Sequence, residues 1–109
     1  MDLTKIKIKV QIVNKGKVIG IASIEVGDME HNGFRIVGFK ILSGMYDETG
    51  HYDKNGNPIW VAAPSYTDNV GAFKNIFYAA PELWKELQNK IIEEYLTVFN
   101  GINGGNISA

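Results

Sequence analysis

The chain has 109 residues, 45% of them hydrophobic and 21% charged, and its 11 basic and 12 acidic side chains leave a formal net charge of −1. This is the composition of a single globular domain that can bury roughly two-thirds of its unfolded surface in one core. The absence of cysteine excludes disulfides, thiol nucleophiles, thiolate metal sites and iron–sulfur clusters, and the near-neutral charge weighs against a partner held mainly by electrostatics, such as duplex DNA.

The opening Met1-Asp2-Leu3-Thr4-Lys5 lacks the basic-then-apolar pattern of a secretory signal, and no apolar run approaches the ~18 residues of a membrane span. A cytoplasmic location without membrane contact is expected. The total charge conceals an asymmetry. Lys5, Lys7, Lys9, Lys15 and Lys17 stand against Asp2 alone in the segment 1–17, a basic edge on an otherwise acidic body.

Lys5-Ile6-Lys7-Ile8-Lys9-Val10-Gln11-Ile12 alternates strictly, which predicts a strand with Ile6, Ile8, Val10 and Ile12 on one face and Lys5, Lys7 and Lys9 on the other. Asn14-Lys15-Gly16-Lys17 supplies a hairpin turn into Val18 to Val26, where both alternating sets are apolar or small, as in a strand covered on both faces. Gly20 is a candidate bulge within it. The polar, glycine-bounded run Gly27 to Gly33 predicts a loop, and Phe34 to Leu42 a third strand whose alternating sets are both mixed.

Gly44 to Pro58 is dense in turn formers and predicts a flap or a small extra hairpin turning at Asn55-Gly56-Asn57. Ile59 to Ala63 reads as a fourth strand stopped by Pro64, Ser65 to Gly71 as a loop, and Phe73 to Tyr78 as a fifth strand. Pro81 and Glu82 open a helix that runs to Asn100 and is closed by Gly101. Its apolar residues sweep an arc of roughly 220°, about twice what one sheet face needs, so the surplus points to a second copy of the chain. The Gly/Asn/Ser-rich segment 101–109 reads as a disordered tail beyond a single domain, 1–100. The expected fold class is α+β, an antiparallel sheet of four to five strands with a long C-terminal helix.

A nucleic-acid reading of these residues uses Lys74, Tyr66 as a base-stacking aromatic, and Lys5, Lys7 and Lys9 as a phosphate-facing stripe. The plain reading of the same residues is a solvated lysine edge that discourages aggregation, beside a loop tyrosine. Within Gly44 to Pro58, Asp53, Asn55 and Asn57 have the opening spacing of a calcium loop. Pro58 stands where glycine is needed and Pro64 where the bidentate glutamate should be, so the match fails. His51 with Asp47, Glu48 and Asp53 lacks fixed metal-ligand spacing, and neither metal nor cofactor is expected. Tyr46, Tyr52 and Trp60 form either a partner-recognition surface or a cluster packed back on its own sheet. With His31 and His51 both in loops, Ser65 a turn-type hydroxyl, and no nucleophile or phosphate-cradling motif, no enzymatic activity is expected.

Five runs carry a family likeness by their order and spacing. They are Ile21-Ala22-Ser23-Ile24, the stretch Phe34-Arg35-Ile36-Val37-Gly38-Phe39-Lys40-Ile41-Leu42-Ser43-Gly44, Val61-Ala62-Ala63-Pro64-Ser65, Gly71-Ala72-Phe73-Lys74-Asn75-Ile76, and Ile91-Ile92-Glu93-Glu94-Tyr95. From about Lys5 to Phe99 the chain resembles the SpoVG septation-protein family, stage V sporulation protein G and its bacterial relatives. The resemblance implies a homodimer formed largely by strand pairing and a small regulator that binds DNA and RNA, with Tyr66, Thr67 and Lys74 in the binding loop. Tyr66 and Thr67 stand where the family usually carries a Lys-Arg pair, and Lys74-Asn75 where it has Arg-Asp, which favours single strands or weak binding over tight duplex recognition. Roughly ten residues are inserted within Met45 to Pro58.

The expected function is a non-enzymatic bacterial regulator binding DNA or RNA as a homodimer. The alternative is a protein-interaction module on the same fold that has lost nucleic-acid binding and uses the aromatic insertion 45–58.

Overall fold

The computed structural model describes residues 6–108, with side chains described as far as Gly101. Four strands, β1 Ile6–Lys15, β2 Val18–Val26, β3 Phe34–Ser43 and β4 Ile59–Ala62, form an antiparallel sheet in the order β1-β2-β3-β4. A separate hairpin pairs β5 Ser65–Thr67 with β6 Phe73–Asn75, and a single helix, α1 Pro81–Ser108, lies against one face of the sheet. The fold is α+β, as the sequence predicts.

The alternation in β1 works as expected. Ile6, Ile8, Val10 and Ile12 lie opposite Val26, Ile24, Ala22 and Gly20 of β2, so all of them face the helix. Gly20 has a packing role there, because a Cβ on it would meet Ile41 Cδ1 and Tyr95 Cδ1, each at 3.1 Å. The mixed faces of Phe34 to Leu42 have a mechanical cause. The β2–β3 register shifts between Ala22 and Ile24, and Gly38 takes a φ of 97° that a side chain would resist. The alternation therefore changes phase at Gly38: Ile36 faces the helix before it and Phe39 and Ile41 after it, which leaves Arg35, Val37, Lys40 and Leu42 on the open face.

The core joins Ala22 and Ile24 of β2, Phe39 and Ile41 of β3, and Ile59 and Val61 of β4 to Leu87, Ile91, Ile92 and Tyr95 of α1. Fully buried side chains of this size each contribute about 1.5–3 kcal/mol. Gln88 is buried among them and its Oε1 accepts the Val61 backbone N–H at 3.3 Å, so the polar residue that interrupts the helix's apolar arc is satisfied by β4.

On the helix, Trp84 packs with Phe39 and Phe77, Tyr95 stacks on Phe99, and no apolar side chain of α1 is among the large exposed ones of the described residues. Three expectations are corrected. The helix does not stop at Gly101 but continues to Ser108, since Gly101 keeps a φ outside the left-handed range of a terminating cap. Ser65–Thr67 is a strand rather than loop, and β6 ends at Asn75 because Phe77 turns inward, 5.2 Å from the Phe39 ring. No helix among the described residues is long and apolar enough to cross a membrane.

Candidate nucleic-acid interface

Pro64 cannot continue the β4 ladder and sits against the backbone of Gly38, where a Cβ would come within 3.5 Å of the proline ring. The chain leaves the sheet there as the β5–β6 arm, closed at its base by the Ile76 N–H donating to Pro64 O at 2.9 Å. Its tip is built by Asp68, whose Oδ1 accepts the backbone N–H groups of Val70 at 3.0 Å and Ala72 at 2.9 Å, with Gly71 at a φ of 85°.

The arm's register places Tyr66, Thr67 and Lys74. Tyr66 lies directly opposite Lys74, so this aromatic and this cation share one face of the ribbon, while Thr67 pairs with Phe73 on the other. Both faces are open. Tyr66 is 52% exposed, Phe73 76% and Tyr78 80%, and Lys74 and Thr67 are exposed. A two-stranded ribbon with this much uncovered apolar surface is marginal alone in water, which marks it as a surface made to be covered.

The lysine stripe lies elsewhere. Lys7 and Lys9 are exposed on β1, on the face away from the helix, whereas Lys5 falls outside the described residues. Their row-mates are residues the sequence reading did not nominate. Lys7 lies across from Glu25 and Glu25 from Arg35; Gln11 lies across from Ile21, Ile21 from Lys40 and Lys40 from Ala62. Glu25 is almost wholly buried against this face. Arg35 donates to its Oε2 from Nε at 2.8 Å and from Nη2, and Lys9 Nζ approaches the same oxygen at 3.3 Å. The Arg35 guanidinium, assisted by Lys9, holds the Glu25 carboxyl below its ordinary range against the opposing pull of burial.

The open face thus carries Lys7, Lys9 and Arg35 beside the Glu25 carboxylate, and Lys40 in the Ile21 row further along. Asp28, in the loop after β2, feels Lys7, and its carboxyl is held low by the Glu30 backbone N–H and the His31 ring. Lys7 and Lys9 on β1 lie three strand spacings, about 14 Å, from the β4 edge that leads into the arm.

The insertion is not a free flap. The Thr49 hydroxyl donates to Ile59 O at 2.6 Å, Ile59 N–H to His51 O at 2.9 Å, and Trp60 Nε1–H to Gly44 O at 2.7 Å, all of which tie it to β4. Tyr46 packs edge-on against Trp60 at 5.0 Å, and the Tyr52 hydroxyl donates to Asp47. Its tip is the small hairpin the sequence predicts at 55–57. Tyr52 bridges Pro58, and Asp53 accepts the N–H groups of Asn55 and Asn57 at 2.9 Å each, which outweighs burial and lowers its carboxyl's pKa. Asp53 is a turn-former here. Among the described residues no group of three His, Asp or Glu side chains is arranged to hold a metal ion.

No protein-family model, curated protein or solved structure matches the chain. The arm and the sheet's open face are therefore the features from which a function has to be argued.

Proposed function

We propose that this chain is a non-enzymatic regulator of the SpoVG type that binds DNA or RNA as a homodimer in a bacterial cytoplasm. The observation that carries the reading is the exposed pairing of Tyr66 with Lys74 on the β5–β6 arm. An aromatic face supplies stacking worth about 1–3 kcal/mol per base, and the adjacent ammonium neutralises a phosphate. The open sheet face adds Lys7 and Lys9, so a chain of near-zero net charge still presents a local basic surface. Homodimerisation is supported by the arm, where Val70, Phe73, Ile76 and Tyr78 are all exposed and a second copy would give them cover.

A second reading is favoured by Tyr46 and Tyr52, 48% and 49% exposed on the insertion. In it the same scaffold engages another protein through these tyrosines and Trp60, without nucleic acid.

Gel-shift titration against single-stranded and duplex probes at low salt separates the two. Retarded complexes support the regulator. No retardation of any probe up to about 100 μM, the weak end of non-specific binding, leaves the interaction module in its place. Light scattering tests the dimer independently: a species of twice the 12.1 kDa chain mass is expected, and the chain mass alone contradicts it.

A further inference from the structure

We infer that the open face of the β1–β3 sheet is a second nucleic-acid surface, distinct from the arm and suited to single strands rather than duplexes. The inference rests on the nucleic-acid reading above and names both an additional site and the form of the ligand.

The argument begins from the phase change at Gly38. By turning Val37 and Lys40 onto the same face, it completes a grid with Lys9, Gln11, Ile21 and Ser23. Between β1 and β3 lies a shallow, open groove of about 280 Å³, lined by Lys9 and Gln11 of β1, Ile21 and Ser23 of β2 and Val37 of β3. Val37 is 62% exposed there, an apolar side chain in the middle of a cationic face. Lys7 and Arg35 lie at one end of the face and Lys40 at the other, and beyond Lys40 comes the Trp60 ring with half-exposed Tyr46 packed on it.

The chemistry of this face selects its occupant. Cations spaced around an apolar floor suit a ligand that is anionic along a backbone and apolar on flat faces, which describes an unpaired nucleotide strand. A duplex keeps its bases stacked inside and offers phosphates only, so Val37 and Ile21 would go unused. A second copy of the chain docked face to face would bring two cationic faces together, which like-charge repulsion opposes. Glu25 completes the device. Sunk beneath Arg35 and Lys9, it fixes the direction of both cations without presenting its own charge to solvent.

The test is fluorescence anisotropy with labelled oligouridylate and oligothymidylate of about 15 nucleotides and a duplex of the same length. The native chain should bind the single strands at least tenfold more tightly than the duplex. Lys9→Ala with Lys40→Ala should weaken single-strand binding at least tenfold and flatten its dependence on salt by about 1.4 in log–log slope, the value for two lost phosphate contacts. Val37→Asp should weaken it at least fivefold with every cation retained. Lys40 takes part in no ion pair of the described residues, so Lys40→Ala alone, with a threefold loss, keeps the test decisive if Lys9→Ala disturbs folding.

Equal affinity for duplex and single strands overturns the inference. So does native-like binding by the face variants when Lys74→Ala abolishes it, a result that would leave the arm reading standing. Failure of the native chain to bind any probe overturns both.

Discussion

Arg35 of β3 donates two hydrogen bonds to a single carboxylate oxygen of Glu25, directly across the sheet on β2, and Lys9 of β1 approaches that same oxygen at 3.3 Å. Three strands are thus joined at one almost fully buried charge. The two cations are not equivalent in strength, because Arg35 makes the hydrogen bonds that do most to lower the carboxyl's pKa.

Arg35→Ala should therefore lower the thermal midpoint more than Lys9→Ala, since it strands the buried carboxylate with only a long, exposed ammonium. The pH dependence follows from the sign of the shift. A carboxyl with a folded pKa below its unfolded value binds fewer protons when folded, so its stabilisation is complete above the unfolded carboxylate range. That stabilisation is lost as pH falls through the lower folded value. Urea midpoints measured across the acid range should start lower in Arg35→Ala and fall less steeply with acid than in the native chain, because the variant has little or none of this stabilisation left to lose. Superimposable acid profiles would contradict the assignment.

Gly20→Ala should destabilise by about 1–3 kcal/mol, because the added methyl must displace Ile41 Cδ1 and the Tyr95 ring. Ile41→Val removes one of those obstructions. The double variant should recover part of the loss, giving a coupling energy of at least about 0.5 kcal/mol in a denaturation cycle, whereas simple additivity would mean the glycine serves only the backbone.

Asp68→Ala removes the acceptor for the Val70 and Ala72 N–H groups at the arm's tip without touching the core. Amide exchange in β5 and β6 should accelerate at least tenfold while the global denaturation midpoint changes by less than about 0.5 kcal/mol. A global loss instead would show that the arm folds as one unit with the sheet.

The parts of the fold that were legible in the sequence are those with one dominant signal. The Lys/Ile alternation set β1 and its two faces, and Pro81-Glu82 set the helix start. Phe34 to Leu42 was legible as a strand but not as two faces, because a positive φ at Gly38 reverses the alternation midway and no periodicity count anticipates where. That single residue hid Arg35 and Lys40 as row-mates of Lys7 and Lys9; the glycine inside a strand was the available signal. Ser65–Thr67 reads as loop in sequence because a three-residue strand between Pro64 and an Asp-capped turn carries no period of its own. Of the candidate site, the identities of Tyr66 and Lys74 were legible; that they share a face while Thr67 does not is a matter of register.

The most direct measurement of the account is the salt dependence of binding to a labelled single strand, native chain against Lys74→Ala. The account predicts a linear fall of log affinity with log salt and a slope shallower in the variant by about 0.7 for each Lys74 that meets a phosphate. A native affinity indifferent to salt, or a variant with the same slope and the same affinity, would contradict it.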